Sequence, residues 1–228
     1  MLLIRLSGHS GAGKTRLLAQ LPRYGITCPR AVLYTSRLAR EDEQHGKDYY
    51  FLSRAAIAAL PSDDFYVRPV REMLQAVDLS QLEIDLRSSN LVMVEIYPDL
   101  WPGLLRRIEE RMRCTIPNTS AFMTAVHQKA ILAQPEESRD RFIQSEVERI
   151  LTWRNKDAPD KVELRAASAV REILTAIGPE ESQHYARIFD SSPEGPDGED
   201  EWTAEAEPVG DARRVLDEFI AFYKSVTG

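Results

Sequence analysis

Residues 8 to 15 read Gly8-His9-Ser10-Gly11-Ala12-Gly13-Lys14-Thr15. Ahead of them runs Leu2-Leu3-Ile4-Arg5-Leu6, a short β-type segment. Behind them Arg16-Leu17-Leu18-Ala19-Gln20-Leu21 has helical character and stops at Pro22. The stretch thus matches GxxxxGK[ST] in the strand–turn–helix setting that the pattern needs. Gly8, Gly11 and Gly13 allow backbone angles and close approach that a side chain would block. Successive N–H groups can then turn inward as an anion nest at the start of the helix. In this reading the backbone of Gly8, His9, Ser10, Gly11, Ala12, Gly13, Lys14 and Thr15 cradles nucleotide phosphates. Lys14 reaches the outer phosphates and the Thr15 hydroxyl ligates Mg²⁺. The competing reading is an ordinary glycine-rich turn, but every neighbouring segment agrees with the phosphate loop.

The rest of the composition sets bounds. The chain has 228 residues, 43% of them hydrophobic and 29% charged, which describes a globular protein with a sizeable core. The net charge of −7 argues against a nucleic-acid binder, which normally carries a basic field. Cys28 and Cys114 stand far apart and outside any CxxC or metal-ligand pattern, and the four histidines show no metal spacing. The opening MLLIRLSG is too short and too soon polar for a secretory signal, and no apolar run approaches roughly 18 residues. The expectation is a cytoplasmic protein with no membrane and no nucleic-acid partner. A homodimer is left open.

A second anion site follows the first helix. Ala31-Val32-Leu33-Tyr34-Thr35-Ser36 suits a strand and leads into Arg37-Leu38-Ala39-Arg40, a charged loop, and Tyr49-Tyr50-Phe51. Two arginines three apart with a tyrosine downstream suit an anion, because guanidinium groups fork onto phosphate oxygens and a phenol adds a donor. Taken alone, a solvated basic pair beside acids explains them as well. LYTSRLAREDEQHGKDYYF resembles the acceptor-binding segment of guanylate kinases, roughly TTRxxRxGExxGxxYxF. Thr35, Ser36, Arg37, Arg40, Glu43, Gly46, Tyr49 and Phe51 fall in register with it, and Asp42 stands where the family has Gly. The resemblance implies that Arg37, Arg40 and Tyr49, with Ser36 nearby, hold the phosphate of an acceptor nucleotide.

The middle of the chain departs from that family. Ser53–Asp64 is short and Ala-rich, no residue can be placed as the glutamate that reads guanine, and Leu33 stands where a small hydroxyl is usual. Phe65-Tyr66 aligns loosely with an aromatic pair that touches the acceptor phosphate, which makes Tyr66 a candidate. Arg68 to Leu79 has Val70, Met73, Leu74 and Val77 at helical spacing and predicts an amphipathic core helix. Residues 90–97 form a near-continuous apolar strand, as in a parallel sheet covered on both faces. Glu95 closes it, where ligands of open α/β sheets gather. Met93 and Glu95 replace the two aspartates typical of the family. Glu95 is therefore a candidate for the acceptor or for Mg²⁺-bound water, or else a structural ion-pair partner.

Further on, a charged helix (104–112), a strand (120–126), and helices over 142–154 and 161–176 are predicted. Between the last two, Asn155-Lys156-Asp157-Ala158-Pro159-Asp160 is rich in breakers. The eleven-residue spacing of Arg154 and Arg165 matches the two lid arginines of the family, and RAASAVREI resembles its helix. The resemblance implies that Arg154 and Arg165, with Arg149 as a further candidate, close over donor phosphates. Their alternative is a place on the surface of amphipathic helices. Residues 185–190 suit a last strand, 191–210 an acidic irregular insertion, and 211–226 a closing helix with Val215, Leu216, Phe219, Phe222 and Tyr223 on one face.

The expected fold is a three-layer α/β/α P-loop type with a parallel sheet, a reduced acceptor-binding lobe and a helical lid. The domain plan is a single guanylate-kinase-like domain over 1–228. Its core comprises 1–32 and 86–228, its lid about 150–166 and its acceptor lobe 33–85. The function implied is transfer of a phosphoryl group from ATP, with Mg²⁺, to a nucleoside monophosphate of the GMP type or a related phosphorylated small molecule. Lys14, Arg154 and Arg165 would be the catalytic groups. Two alternatives stand beside it: a binding module with reduced catalysis, and a kinase for a non-guanine acceptor such as a sugar phosphate.

Overall fold

The computed structural model describes residues 1–227 other than 10, 42, 71, 90, 98–99, 154–158, 179–186 and 191–206. In chain order the elements are β1 (Leu2–Gly8), α1 (Lys14–Gln20), a 3₁₀ turn (Leu21–Tyr24), β2 (Leu33–Thr35), β3 (Tyr49–Phe51), α2 (Arg54–Ala58), β4 (Phe65–Val70) and β5 (Met73–Asp78). There follow α3 (Leu79–Ser89), β6 (Leu91–Val94), α4 (Trp101–Met112), β7 (Asn118–Thr124), α5 (Gln128–Leu132), α6 (Arg139–Trp153), α7 (Pro159–Ile177), β8 (Arg187–Asp190) and α8 (Gly210–Thr227). One four-stranded sheet has the order β6-β1-β7-β8 and a second the order β3-β2-β5-β4. The mixed α/β class and the parallel pairing agree with the expected fold.

Two compact units divide the chain. The first holds Met1–Arg5 and Cys28–Thr119. Here β1 pairs in parallel with β6, from Leu2 opposite Leu91 to Arg5 opposite Val94. All four residues of β6 are buried, which is why the stretch is apolar without alternation. Leu3, Val77, Leu82, Leu86, Val92 and Leu104 belong to one continuous core. Arg5 is an exception inside it, 2% exposed, with its guanidinium 5.7 Å from the centre of the Trp101 ring. An aromatic face offsets part of the cost of burying that charge.

The second unit holds Leu6–Thr27 and Ser120–Gly228. In it β7 pairs in parallel with β8, Ala121 opposite Arg187 through Thr124 opposite Asp190. Helix α6 buries Ile143, Val147, Ile150 and Leu151, and α7 buries Val162, Ala166, Ala169, Ile173 and Ala176. Both stripes follow the three-and-four spacing of an amphipathic helix. The alanines of α7 leave room for a close neighbour, and these residues share one core with Phe122 and Ile131.

One element corrects the sequence reading. The helix expected over Arg68–Leu79 is the β4–β5 hairpin, antiparallel from Phe65 opposite Asp78 to Val70 opposite Met73. Val70, Met73, Leu74 and Val77 satisfy a helical period, yet three of them, Val70 on β4 and Met73 and Val77 on β5, equally share one face of a hairpin. Burial follows the strand pattern, with Tyr66, Val70 and Val77 inside. Pro69 does not block it, because β4 is the edge strand of its sheet, where a missing N–H is tolerated. Boundaries elsewhere shift by a few residues: β6 ends at Val94, leaving Glu95 just beyond it, and the strand expected at 120–126 starts and stops two residues earlier.

Candidate functional site

The glycine loop of the second unit is shaped by its backbone. Gly8 ends β1 with φ 146°, and Gly11 and Gly13 follow with φ 90° and 86°. Gly13 is the N-cap of α1. These are left-handed conformations that a residue with a Cβ adopts only under strain. Gly8 carries a second constraint, since a Cβ there would stand 2.4 Å from the Met123 carbonyl oxygen. The loop is closed by Ala12 N–H donating to the His9 carbonyl at 3.3 Å and Leu17 N–H to that of Gly13 at 2.9 Å. Lys14 donates its ammonium to the carbonyls of Gly8 (2.5 Å) and His9 (3.2 Å), which keeps the charge against the loop. Thr15 lies exposed in the first turn of α1. Ser10 lies outside the described residues.

His9 differs from the sequence reading, which gave its backbone the larger role. Its ring is fully buried, and Nε2 accepts a hydrogen bond of 2.9 Å from Ala125 N–H, just beyond β7. An imidazole that accepts there is the neutral tautomer, with its proton on Nδ1. The motif leaves this position unspecified, so nothing in the sequence signals the contact.

In the first unit, Arg37, Glu43, Tyr49 and Phe51 form a cluster. The Arg37 guanidinium forks onto the Glu43 carboxylate, with both N–O distances 2.5 Å. It also stacks over the rings of Tyr49 and Phe51, at 4.9 and 5.3 Å to their centres. Glu43 accepts from the Arg40 backbone N–H at 2.9 Å and pairs with the Arg40 side chain at 3.6 Å. One carboxylate therefore holds two cations and leaves one net positive charge. Burial would lower the Arg37 guanidinium, but its bonds to Glu43 outweigh that and hold it above its ordinary range. Burial would raise the Glu43 carboxyl, and the bonds from Arg37 and the Arg40 amide bring it below the usual carboxylate range. Tyr49 is pushed up to about 12, chiefly by burial and then by the charge of Glu95. It stays a neutral phenol, able to donate, at every ordinary pH.

The remaining candidates have other partners. Glu95 pairs with Arg30 at 3.2 Å, and Arg30 also donates to the Asp48 carbonyl at 2.9 Å. Ser36 is tied to β5: its Oγ accepts from Leu74 N–H at 2.8 Å, and its own N–H donates to the Leu74 carbonyl at 2.9 Å. Tyr66 lies in the core, 6% exposed, with its hydroxyl donating to the Leu100 carbonyl at 3.1 Å. Arg165 is half-buried on α7, Arg149 pairs with Glu146 at 3.0 Å on α6, and Arg154 lies outside the described residues. Most of the acidic stretch 191–210 does as well. Among the described residues no group of three or more His, Cys, Asp or Glu side chains is placed to hold a metal ion. No helix there is long and apolar enough to cross a membrane.

No protein-family model matches the chain. Curated relatives do. A guanylate kinase of Jannaschia sp. is 33% identical over 134 residues, covering 48% of this chain and 62% of that protein. One of Ruegeria pomeroyi is 34% identical over 135 residues, covering 48% and 63%. The guanylate kinase of a Wolbachia sp. from Brugia malayi is 29% identical over 173 residues, covering 75% and 77%. The matched part thus spans less than two thirds of the first two relatives. Among solved structures, guanylate kinase from Anaplasma phagocytophilum aligns over 98% of this chain and 85% of its own, with a TM-score of 0.54 and 18% identity, a likeness of fold. In sequence the chain is thus similar to guanylate kinases over part of their length, and in fold it resembles one of them.

Proposed function

We propose that the protein transfers the γ-phosphoryl group of ATP to a nucleoside monophosphate of the GMP type. The observation that carries this reading is the glycine loop, whose left-handed Gly11 and Gly13 and inward-held Lys14 make an anion cradle in a chain related to guanylate kinases. Backbone amides at glycine positions are donors of the kind that phosphate oxygens take.

Phosphoryl transfer asks for positioning and charge neutralisation more than for covalent chemistry. ATP phosphates would rest on the amides of residues 8–15, with Lys14 offsetting charge on the outer oxygens. Thr15 is exposed at the start of α1 and suits a Mg²⁺ ion that takes its other ligands from phosphate and water, so no acidic cluster is needed. When bound, that ion would neutralise charge on the β and γ oxygens. Arg37, Arg40 and the neutral Tyr49 would hold the acceptor phosphate, with the phosphate taking over donors that Glu43 now occupies. Arg165 and Arg154 would offset charge on the transferred group. An acceptor phosphate is already an anionic nucleophile, so no general base is required.

The test is ADP release from ATP and Mg²⁺ against GMP, dGMP, AMP, CMP, UMP, dTMP and several sugar phosphates, with Lys14→Ala as the control. Turnover with GMP that Lys14→Ala abolishes is the expected result. Turnover with sugar phosphates alone would replace the acceptor. A Lys14→Ala variant with full activity would end the phosphoryl-transfer reading.

A further inference from the structure

Gln75 lies in the middle of β5, only 6% exposed, and its Oε1 is buried with no hydrogen-bond partner among the described residues. A buried amide oxygen left unpaired costs stability, and such groups in native folds call for an explanation. The strand register gives its surroundings. Gln75 stands opposite Thr35 on β2 and opposite Arg68 on β4, and Thr35 stands beside Phe51 on β3. Side chains directly opposite one another share a face of a sheet. Thr35 Oγ1 lies 3.9 Å from Met73 Sδ, two residues from Gln75 on that same face. Phe51 is also the ring over which Arg37 stacks. The Arg37 cluster and the unpaired carboxamide therefore occupy one face, about 10 Å apart across two strand spacings.

We propose that Gln75 is a specificity-determining residue that reads the base of the nucleotide acceptor. The inference rests on the acceptor reading of the Arg37 cluster and extends it to specificity. A ligand whose phosphate sits on Arg37 and Arg40 lays its far end across the sheet toward β5. A carboxamide offers one acceptor and one donor side by side in a plane. Guanine presents the complement as O6 with N1–H, and adenine as N1 with N6–H. A sugar phosphate has no planar pair of this kind.

The experiment is calorimetric titration of the full chain with GMP, AMP and ribose 5-phosphate, which keeps sugar and phosphate but lacks the base. Wild type is compared with Gln75→Leu and Gln75→Glu. Gln75→Leu is expected to weaken the tighter-bound purine nucleotide about tenfold or more, to leave ribose 5-phosphate within about twofold, and not to lower the melting temperature. Gln75→Glu presents two acceptors and no donor. It is expected to move the GMP-to-AMP affinity ratio about tenfold toward GMP, whose N1–H and N2–H lie together. Equal weakening of all three ligands, unchanged purine affinities, an unmoved ratio, or a wild type that binds neither purine nucleotide better than ribose 5-phosphate would overturn the proposal. Because binding is read without ATP, absence of turnover in the panel above bears on the kinase reading and leaves this one to stand or fall on the affinities.

Discussion

The glycine loop and the Arg37 cluster are both suited to anions, and they are built by opposite means. The loop is a backbone device: glycine dihedrals aim its amides, and even its lysine is held by carbonyls of residues 8 and 9. The cluster is a side-chain device, with two arginines gathered on one glutamate and one of them stacked on two aromatic rings. A backbone cradle demands particular residues at fixed spacing, because only glycine tolerates the angles. A side-chain cradle can be assembled from residues far apart and leaves a looser trace. The contrast also predicts different failures. Changes in the loop should damage geometry or turnover outright, whereas changes in the cluster should tune affinity.

The largest effect is expected at Lys14. Lys14→Ala should reduce turnover by about a thousandfold while far-ultraviolet dichroism stays that of the wild type, since in the proposed reaction the residue acts through its charge on phosphates. Near-normal kcat would break the contrast at its root. Next comes Gly8→Ala, in which the new Cβ meets the Met123 carbonyl at 2.4 Å and inherits a φ of 146°. A loss of about 3 kcal/mol in urea unfolding is expected, of the size that strain and overpacking produce. A loss within experimental error would show that the strand end yields easily.

Arg37→Lys keeps the charge and removes the fork and the planar stack. We expect the acceptor KM to rise about tenfold with kcat little changed, the pattern of lost uniform binding. An equal fall in kcat would instead place Arg37 in the transition state and blur the distinction between the regions. The smallest effect concerns Tyr49. Its folded value is pushed up to about 12, above that of an unfolded tyrosine, so the neutral phenol is favoured in the fold. Its contribution to stability is full below the unfolded value and is lost as pH climbs through about 12. Ultraviolet titration should show a tyrosine ionising at about pH 12, and Tyr49→Phe should remove that step.

The same contrast explains what could be read from the chain alone. The β1–loop–α1 unit was legible because GHSGAGKT constrains angles and its flanks carry the matching periods. Helices α6, α7 and α8 were legible to within a few residues, since their buried stripes are long enough to exclude a strand. The β4–β5 hairpin was not, because Val70, Met73 and Val77 suit one face of a helix as well as one face of a hairpin until the turn is known, and Pro69 suits the start of a helix as well as an edge strand. Glu43 was visible only as a position in register, and nothing in the linear order shows that it gathers both arginines. The rings of His9 and Tyr66 and the carboxamide of Gln75 face residues between 34 and 116 positions away, Leu100 for Tyr66, Thr35 for Gln75 and Ala125 for His9. Local pattern carries no trace of such partners.

The edge strand β4 has a consequence for how copies of the chain meet. An exposed strand edge is a template on which another molecule can add a strand and begin to aggregate. In the sheet β3-β2-β5-β4, one edge is the three-residue β3, too short to recruit much. The other carries Pro69, which lacks an N–H to offer, next to the exposed charge of Arg68. Proline and a cation side by side discourage sheet-to-sheet growth. Pairing of two copies through the edges of this sheet is therefore disfavoured, and the hairpin that the linear pattern concealed guards it against fibril-like association.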